Sequence, residues 1–218
     1  MKRFEIITEI EARALDRGET ILLSRNGHVT PLALDTLKER RVTMVREGRV
    51  SAAEASLAPP DRIESIAIAS DHTGIALRRT LIGFLRGLGL AVSDLGTDSV
   101  GPVDYPDVAA LVARGVARGE AQAGIVIDGA GIGSAIAANK IDGIRAAMAS
   151  SEGVARYARE HNGVNVLTLG ATLVSADEAR AIVSAWLGAV MREPRHIRRL
   201  TKIRDLETMN KSELKSEE

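Results

Sequence analysis

Along most of the chain, short runs of apolar residues alternate with longer stretches in which apolar residues recur at helical spacing. Short apolar runs predict strands at Ile66–Ser70, Ala91–Leu95, Gly124–Asp128, Ile144–Met148 and Val164–Leu169. Helical periodicity lies between them, at Ile75–Gly87, Tyr105–Arg118, Gly133–Asn139 and Ala176–Met191, and a basic helix begins near Arg195. Strands that lack alternation and are separated by helices form parallel sheets covered on both faces. We therefore expect residues 65–207 to form a Rossmann-like α/β domain. Its doubly wound, five-stranded parallel sheet would have a ligand crevice outside the carboxyl ends of the strands.

The first 47 residues form a smaller block. Helices are predicted at Thr8–Asp16 and Pro31–Arg40, and strands at Thr20–Leu23 and Val42–Val45. So few residues bury little surface by themselves, which favours a small α/β appendage that packs on another surface. A Pro-Pro pair in a stretch of small residues predicts a linker over 48–64. The charged segment 208–218 is expected to be a flexible tail.

Composition excludes several classes of protein. The 29 basic residues balance the 29 acidic ones, and one Trp, two Tyr and two Phe are too few for a platform that stacks nucleic-acid bases. The absence of cysteine excludes disulfides, thiolate zinc sites and a cysteine nucleophile. No apolar run approaches the ~20 residues of a membrane span, and acidic residues stand where a signal peptide would be apolar. These features predict a cytoplasmic protein that binds neither nucleic acid nor membranes.

Polar residues follow the first and third predicted strands of the larger domain. Asp71 and His72 come directly after the first strand and would face the crevice; the alternative for Asp71 is a role only as the cap of the next helix. The glycine-rich loop Asp128–Ser134 follows the third strand and precedes a helix, so that its amide groups would point at an anion. A dinucleotide site is disfavoured because such loops follow the first strand. A tight turn without a ligand remains the alternative.

Two further groups of basic and polar residues lie towards the end of the chain. His161 and Asn162 end a short helix before the last strand, where a histidine is also favoured by the helix dipole alone. Arg195 and Arg199 are four residues apart on a predicted helix, so they share one face. That spacing suits a phosphate clamp, and it also suits a solvated basic surface.

Five segments in this order carry a resemblance to a known family. They are IAIASDHTGIALR (66–78), VDYPD (103–107), GAGIGSAIAANKIDGIRAA (129–147), AREHNGVNVLTLGA (158–171) and RHIRR (195–199). Together they resemble the B-type ribose-5-phosphate isomerases and the related galactose-6-phosphate isomerases. The resemblance implies an enzyme of carbohydrate metabolism that interconverts an aldose and a ketose, foremost ribose 5-phosphate and ribulose 5-phosphate, through a cis-enediolate. It implies no metal and no organic cofactor.

The resemblance also assigns roles to individual residues. Asp71, Tyr105 and His161 would act on substrate hydroxyls and ring opening, and Asn162 would bind a sugar oxygen. His72, Arg195 and Arg199 would hold the phosphate. The enediolate would be stabilised as in an oxyanion hole by the backbone of Gly129, Ala130, Gly131, Gly133 and Ser134. Sites of this family lie between two subunits, so a homodimer or a dimer of dimers is implied.

The sequence departs from the family pattern in the glycine-rich loop. The usual Cys-Gly-Thr-Gly is here Asp128-Gly129-Ala130-Gly131, so the usual base and hydroxyl are both replaced. The glutamate of another branch is Ser134, and the usual histidine after the fourth strand is Ser150. We hypothesise that Asp128 is the base, made more basic by partial desolvation. The missing hydroxyl at Ala130 suggests weaker ring opening, or a substrate that needs none, such as a tetrose phosphate.

The first block resembles a short module at the start of some ethanolamine-utilisation proteins of bacterial microcompartments. The similarity is carried by Ile7–Arg13 and by TPLALDTLKER (30–40) before VTMV. It implies a docking or assembly role for residues 1–47 and a location inside a microcompartment, while an extension that stabilises the oligomer is the alternative. A second function is also left open by the replaced base: a sugar-phosphate-binding or scaffold protein of a microcompartment that has lost catalysis.

Overall fold

The computed structural model describes residues 2–46, 52–99 and 101–216, and the chain divides into two compact units, Met1–Ser51 and Ala52–Glu218. The first unit consists of β1 (Arg3–Ile7), α1 (Glu9–Arg13), β2 (Thr20–Val29), α2 (Pro31–Glu39) and β3 (Thr43–Arg46). Its three strands are parallel in the order β1-β2-β3. Thr8 and Thr30 begin the two helices as caps, in keeping with their hydroxyl side chains. Strand β1 was not predicted.

The first unit has an apolar core of its own, formed by Ile7, Ala12, Leu15, Ile21, Leu23, Ala33 and Leu37. Helices α1 and α2 pack on each other, and the hydroxyl of Thr36 in α2 donates to Glu9 of α1 at 2.8 and 2.7 Å. The predicted small α/β appendage is therefore present, with one more strand than the sequence indicated.

The second unit contains the larger sheet. Its strands are β4 (Ser65–Ser70), β5 (Ala91–Asp94), β6 (Ala123–Asp128), β7 (Ala146–Met148) and β8 (Val166–Gly170). Its helices are α3 (Ala52–Ala55), α4 (Ile75–Gly87), α5 (Tyr105–Ala117), α6 (Ile132–Ala138), α7 (Glu152–Asn162), α8 (Ala176–Gly188) and α9 (Pro194–Ser216). The sheet is parallel throughout, in the order β5-β4-β6-β8-β7. The predicted doubly wound, five-stranded α/β fold is confirmed.

Separate apolar clusters cover the two faces of this sheet. One contains α4, α7 and α8 residues around Trp186, and the other contains α5 residues around Val112. All six residues of β6 are buried, which explains why the strand lacks polar alternation. At Gly124 an added Cβ would lie 2.5 Å from Val112 Cγ1, so a glycine is what allows α5 to pack this closely. In the sheet, β5 lies on one side of β4 and β6 lies on the other, so the strand order reverses between β4 and β6. In folds of this class, ligands bind at the carboxyl ends of the strands at such a switch point.

Two segments differ from their predicted structure. Residues 48–51 of the predicted linker lie outside the described residues, but from Ala52 on the linker belongs to the second unit. Helix α3 packs on α9. The carbonyl of Leu57 accepts from Arg145 at 3.1 Å, and the carbonyl of Pro60 accepts from Arg159 at 2.7 Å. The predicted tail is helical to Ser216, as the continuation of α9, and its residues 217–218 are outside the described range.

Candidate active site

Asp71 lies at the carboxyl end of β4 and caps the turn that follows. Its carboxylate oxygen Oδ1 accepts from the backbone amides of Thr73 and Gly74, at 2.9 and 3.2 Å, and from the Thr73 hydroxyl at 2.6 Å. The residue is only 6% exposed. The capping interpretation of Asp71 is thus correct for Oδ1, while Oδ2 makes no hydrogen bond within the described residues.

His72 and Tyr105 lie at the same end of the sheet as Asp71. His72 is exposed, and its Nδ1 accepts from the Val103 amide at 3.4 Å, so a neutral ring carries its proton on Nε2 and can donate to a ligand. Tyr105 is the first residue of α5 and is 42% exposed. Its ring lies directly over Gly133, where an added Cβ would be 2.5 Å from two ring carbons. The absence of a side chain at position 133 brings Tyr105 against the glycine-rich loop.

The Asp128 carboxylate, at the end of β6, is held inside the glycine-rich loop. One oxygen accepts from the amide of Ala130 at 2.8 Å and from the amide of Gly131, and the other accepts from the amide of Ser134 at 3.0 Å and from its hydroxyl. Asp128 is 4% exposed. The loop does gather its amides around an anion, as predicted, but that anion is a side chain of this protein.

This geometry changes the expectation for both the base and the oxyanion hole. The amides of Ala130, Gly131 and Ser134 are already used, whereas those of Ile132 and Gly133, at the start of α6, make no hydrogen bond within the described part of the chain. Asp128 can take a proton from a substrate only after it gives up one of its four hydrogen bonds. The Ile132 and Gly133 amides in the first turn of α6 are therefore available to a substrate oxyanion.

The loop is fixed from behind by residues that the sequence did not single out. Thr172 donates its hydroxyl to the Gly129 carbonyl and Thr168 donates to the Gly131 carbonyl, both at 2.6 Å. Gly131 has a φ of +76°, and an added Cβ there would lie 2.8 Å from the Leu169 carbonyl carbon, so only glycine fits. A threonine inside the apolar strand VLTLG was the available signal for Thr168.

A second cluster of predicted residues forms around the end of α7 and the start of α9. The His161 ring lies 4.9 Å from the Tyr157 ring and 4.4 Å from the His196 ring, centre to centre. His196 is buried, and its Nδ1 donates to the Glu160 carbonyl at 3.2 Å. Burial is the main cause that lowers the pKa of His196, and charge on His161, Arg195 and Arg199 acts in the same direction. The sequence analysis missed His196.

A cavity of about 350 Å³ lies beside this cluster, bordered by Glu160, His161, Arg192, Glu193 and His196. Asn162, Arg195 and Arg199 are exposed nearby. Within the described residues, the ion pair of Arg195 is a long contact of 3.9 Å with Glu193. An anion at this surface would therefore meet arginines whose charges are little engaged by carboxylates.

The two clusters lie on opposite edges of the sheet. Asp71 and Asp128 are at the carboxyl ends of β4 and β6, whereas α7 ends just before the amino end of β8, where Asn165 pairs with Gly124 at the start of β6. From Gly124 to Asp128 the strand is about 13 Å long. Helix α9 stays at the amino edge, because Leu200 contacts Gly163 and Glu207 accepts from the Gly143 amide. One chain therefore does not bring Arg195, Arg199 and His161 together with Asp71.

The part of the chain that the structure describes has neither a cluster of metal ligands nor a membrane-spanning helix. No three His, Cys, Asp or Glu side chains there are grouped to hold a metal ion. No helix there has the length and apolar character required to cross a membrane.

Comparison with known proteins decides the family. The family described as Ribose/Galactose Isomerase matches residues 66–203, which contain both clusters. The chain belongs to this family. The match leaves the first unit of the fold, and α3, outside the region that defines the ribose/galactose isomerases.

Individual members of the ribose/galactose isomerase family are similar over the same region. Ribose-5-phosphate isomerase B of Escherichia coli is 42% identical over 145 residues, which cover 66% of this chain and 97% of the relative. D-erythrulose-4-phosphate isomerase of Pectobacterium atrosepticum is 42% identical over 127 residues, 57% of this chain and 83% of the relative. The solved structure of ribose-5-phosphate isomerase B from Mycoplasma genitalium with bound ribulose-5-phosphate is 40% identical, with a TM-score of 0.64 over 66% of this chain and 96% of that chain.

Proposed function

We propose that this protein isomerises a phosphorylated sugar, with ribose 5-phosphate and ribulose 5-phosphate as its first candidate pair. The observation that carries the proposal is the crevice at the β4–β6 switch point. There, Asp71, His72 and Tyr105 surround the positive end of α6 with its two unused amides. The similarity to ribose-5-phosphate isomerase B, and to a member solved with ribulose-5-phosphate, supports the choice of substrate.

The chemistry follows from the groups at this edge. A carboxylate moves a proton between C1 and C2, and the negative charge that develops on the substrate oxygen lies against the Ile132 and Gly133 amides, which a helix N-terminus makes favourable for anions. His72 donates from Nε2 to the substrate phosphate. Asp128 as the proton-transferring base stays a prediction, because its carboxylate first has to leave its partners in the loop.

We also propose that a second copy of the chain completes each site. The support is the separation of the clusters: a two-fold dimer would place His161, Asn162, Arg195 and Arg199 of one copy at the carboxyl edge of the other. Ile132 and Ile136 form an exposed apolar pair on α6 beside the glycine-rich loop, where such a contact would bury them. The arginine pair would then grip the phosphate that His72 approaches from the other side.

Mixing of inactive variants tests this arrangement. Asp71→Asn damages the carboxyl-edge cluster and His161→Asn damages the amino-edge cluster. After joint unfolding and refolding at equal amounts, half of the dimers would be hybrids with one intact site, so about a quarter of the wild-type turnover should return. Asp71→Asn mixed with Tyr105→Phe is the matched control, because both changes lie in the same cluster and no hybrid site is intact. Equal recovery in both mixtures, or none in either, would refute the shared site.

A four-carbon sugar phosphate is the second candidate substrate. Ala130 offers no hydroxyl for ring opening, and a tetrose 4-phosphate cannot close a furanose ring through its phosphorylated oxygen. One similar relative is named D-erythrulose-4-phosphate isomerase. Turnover of four-, five- and six-carbon ketose phosphates, measured side by side, decides between the candidates. Binding of all of them without turnover would favour the alternative of a sugar-phosphate-binding or scaffold protein.

The role of the first unit is a proposal of its own. Residues 1–47 are proposed to serve docking or assembly, and enclosure in a bacterial microcompartment remains a prediction. The support is that the unit has a separate core and lies outside the residues that match the isomerase family. Co-purification of the full chain with shell proteins, compared with a chain that begins at Ala52, is the test.

A further inference from the structure

The two carboxylates at the carboxyl edge of the sheet are bound in different ways. Both oxygens of Asp128 accept hydrogen bonds, four in total, and all four donors belong to the loop and the first turn of α6. In the described part of the chain, Asp71 has three hydrogen bonds, all on Oδ1, and Oδ2 has none. Of the two residues, only Asp71 presents an unoccupied carboxylate oxygen.

The free oxygen of Asp71 is not fully buried. Within the described residues, the polar side-chain atoms that are both fully buried and without a hydrogen bond are Arg78 Nε, Arg159 Nη1 and Thr201 Oγ1. Asp71 Oδ2 has no partner and is not among them, so it reaches solvent. The three bonds to Oδ1 hold the carboxylate in one orientation, which keeps Oδ2 at a fixed place.

Asp71 also lies beside the start of the glycine-rich loop. Its backbone amide donates to the Ile127 carbonyl at 3.1 Å, which joins the end of β4 to the end of β6. Thr73, whose hydroxyl binds Asp71, comes within 3.9 Å of the Cβ position of Gly129. The free oxygen and the glycine-rich loop therefore border one crevice.

We propose that Asp71 is the proton-transferring base and that Asp128 instead holds the glycine-rich loop in shape. The inference rests on the proposed isomerase function. Asp71 Oδ2 takes the proton from C1 of the ketose, the C–H electron pair forms the C1=C2 bond, and the C2 carbonyl pair moves to O2. The O1 proton then passes to O2, C1=O1 forms, and Asp71 returns its proton to C2. The step needs no other reactant.

Hydrogen exchange at C1 of ribulose 5-phosphate in D2O tests this assignment. This ketose cannot close a furanose ring through its phosphorylated O5, so exchange reports proton abstraction without ring opening. Asp71→Asn keeps a side-chain oxygen that caps the turn, because asparagine is as good a cap as aspartate. The expected result is a fall of about 100- to 10,000-fold in the kcat of exchange, with an unchanged melting temperature.

Asp128→Asn is the matched control, with the same change of carboxylate to amide. Its NH2 group cannot accept from Ser134, so we expect a lower melting temperature and a kcat of exchange above that of Asp71→Asn. If Asp71→Asn keeps the wild-type kcat, or only raises KM, or exchanges faster than a folded Asp128→Asn, the assignment is overturned. Should Asp128→Asn fail to fold, the kcat of Asp71→Asn decides alone.

The wild-type protein separates the two proposals. Exchange by the wild type that persists in Asp71→Asn overturns the role of Asp71 and leaves the isomerase function standing. Absence of exchange by the wild type, with ribulose 5-phosphate and with erythrulose 4-phosphate, would overturn the isomerase function and the role of Asp71 with it.

Discussion

Because Gly133 has no Cβ, the side chain of Tyr105 on α5 can lie directly against it. An added Cβ would lie 2.5 Å from Tyr105 Cε2 and Cζ, so the ring has to move. Gly133→Ala should leave stability nearly unchanged, because the ring is partly exposed and can rotate. It should lower kcat/KM by about 10- to 100-fold, since a displacement near 1 Å in a site has that effect.

Gly83→Ala is the control for Gly133→Ala. Gly83 is an exposed residue of α4, and an added Cβ there has no neighbour within 4 Å. Alanine should stabilise the helix by about 0.5–1 kcal/mol and leave turnover as in the wild type. Turnover of Gly133→Ala equal to that of Gly83→Ala would show that the position of Tyr105 does not matter.

His196 gives the stability of the protein a dependence on pH. Burial is the main cause that lowers the pKa of His196 in the folded state, whereas in the unfolded chain the pKa is near the ordinary histidine value of about 6.5. Below about pH 6.5 the unfolded chain therefore binds a proton more readily than the folded protein does. The contribution of His196 to the free energy of unfolding is therefore complete above about pH 6.5, and it is lost as the pH falls through the pKa of the folded state. His196→Asn keeps a donor for the Glu160 carbonyl and does not titrate.

We expect His196→Asn to reduce the proton uptake on unfolding between pH 6.5 and 5 by up to about one proton per chain, measured from the pH dependence of the free energy of unfolding. His28→Asn is the control, because His28 is exposed in the first unit. If the pH dependence of the free energy of unfolding is the same in His196→Asn as in the wild type, His196 titrates alike in the folded and the unfolded state.

Sequence predicted the residue types of the site better than their geometry. Asp71, His72 and the glycine-rich loop were predicted from their positions after apolar strands, and Tyr105 from the resemblance to the isomerase family. The occupation of the loop amides by Asp128 was not predicted, because it depends on the φ of Gly131 and on the Thr172 hydroxyl behind the loop. Nor could sequence pair His161 with His196, since that contact joins two helices far apart in the chain.

At the scale of elements, Arg78 ties the loop after β5 to the end of β4. This residue of α4 is 1% exposed and donates to Ser70 Oγ, the Thr97 carbonyl and Asp98, at 3.2, 2.7 and 2.6 Å. Its Nε lies 3.2 Å from Asp94. The loop it holds leads to Val103 and Tyr105, so Arg78 supports the crevice without touching a substrate.

Arg78→Met should lower the free energy of unfolding by about 1.5–3 kcal/mol, because it removes the hydrogen bonds of a buried guanidinium to Ser70, the Thr97 carbonyl and the exposed Asp98. It should also raise KM, as the loop loosens. Arg79→Met is the matched control: Arg79 lies 3.1 Å from the same Asp98 but its side chain is 62% exposed, so less than about 1 kcal/mol should be lost. Chemical denaturation measures both variants. Similar losses in the two would show that the buried contacts of Arg78 add nothing.

The elements themselves were mostly predictable, for a physical reason. Central strands such as β6 are buried on both faces and leave a continuous apolar run, which sequence reveals directly. Strand β1 (RFEII) is short and half charged, so it gives no such signal. The sequence also did not reveal that residues 52–64 are ordered. Their contacts are made by the backbone carbonyls of Leu57 and Pro60, and a backbone carbonyl is present at every residue and gives no sequence signal.

At the scale of the whole molecule, these carbonyls set where the isomerase unit begins. Arg159 is 1% exposed, lies over the Trp186 ring and donates to the carbonyls of Pro60 and Ala189. Burial lowers its pKa to about 10. Arg145 donates in the same way to Leu57 and Gly163. A chain that lacks residues 52–64 would lose the Pro60 and Leu57 carbonyls, and Arg159 and Arg145 would each keep one of their two carbonyl acceptors.

Two shortened chains test this boundary. A chain that begins at Ala52 keeps every one of these contacts and should unfold at the denaturant midpoint of the second unit in the full protein, with full turnover. A chain that begins at Ser65 keeps the whole sheet but should lose about 2–5 kcal/mol of unfolding free energy, since each lost hydrogen bond to a charged group costs about 1.5–3 kcal/mol. Equal stability of the two chains would mean that water replaces the carbonyls without loss, and that the unit begins at β4 after all.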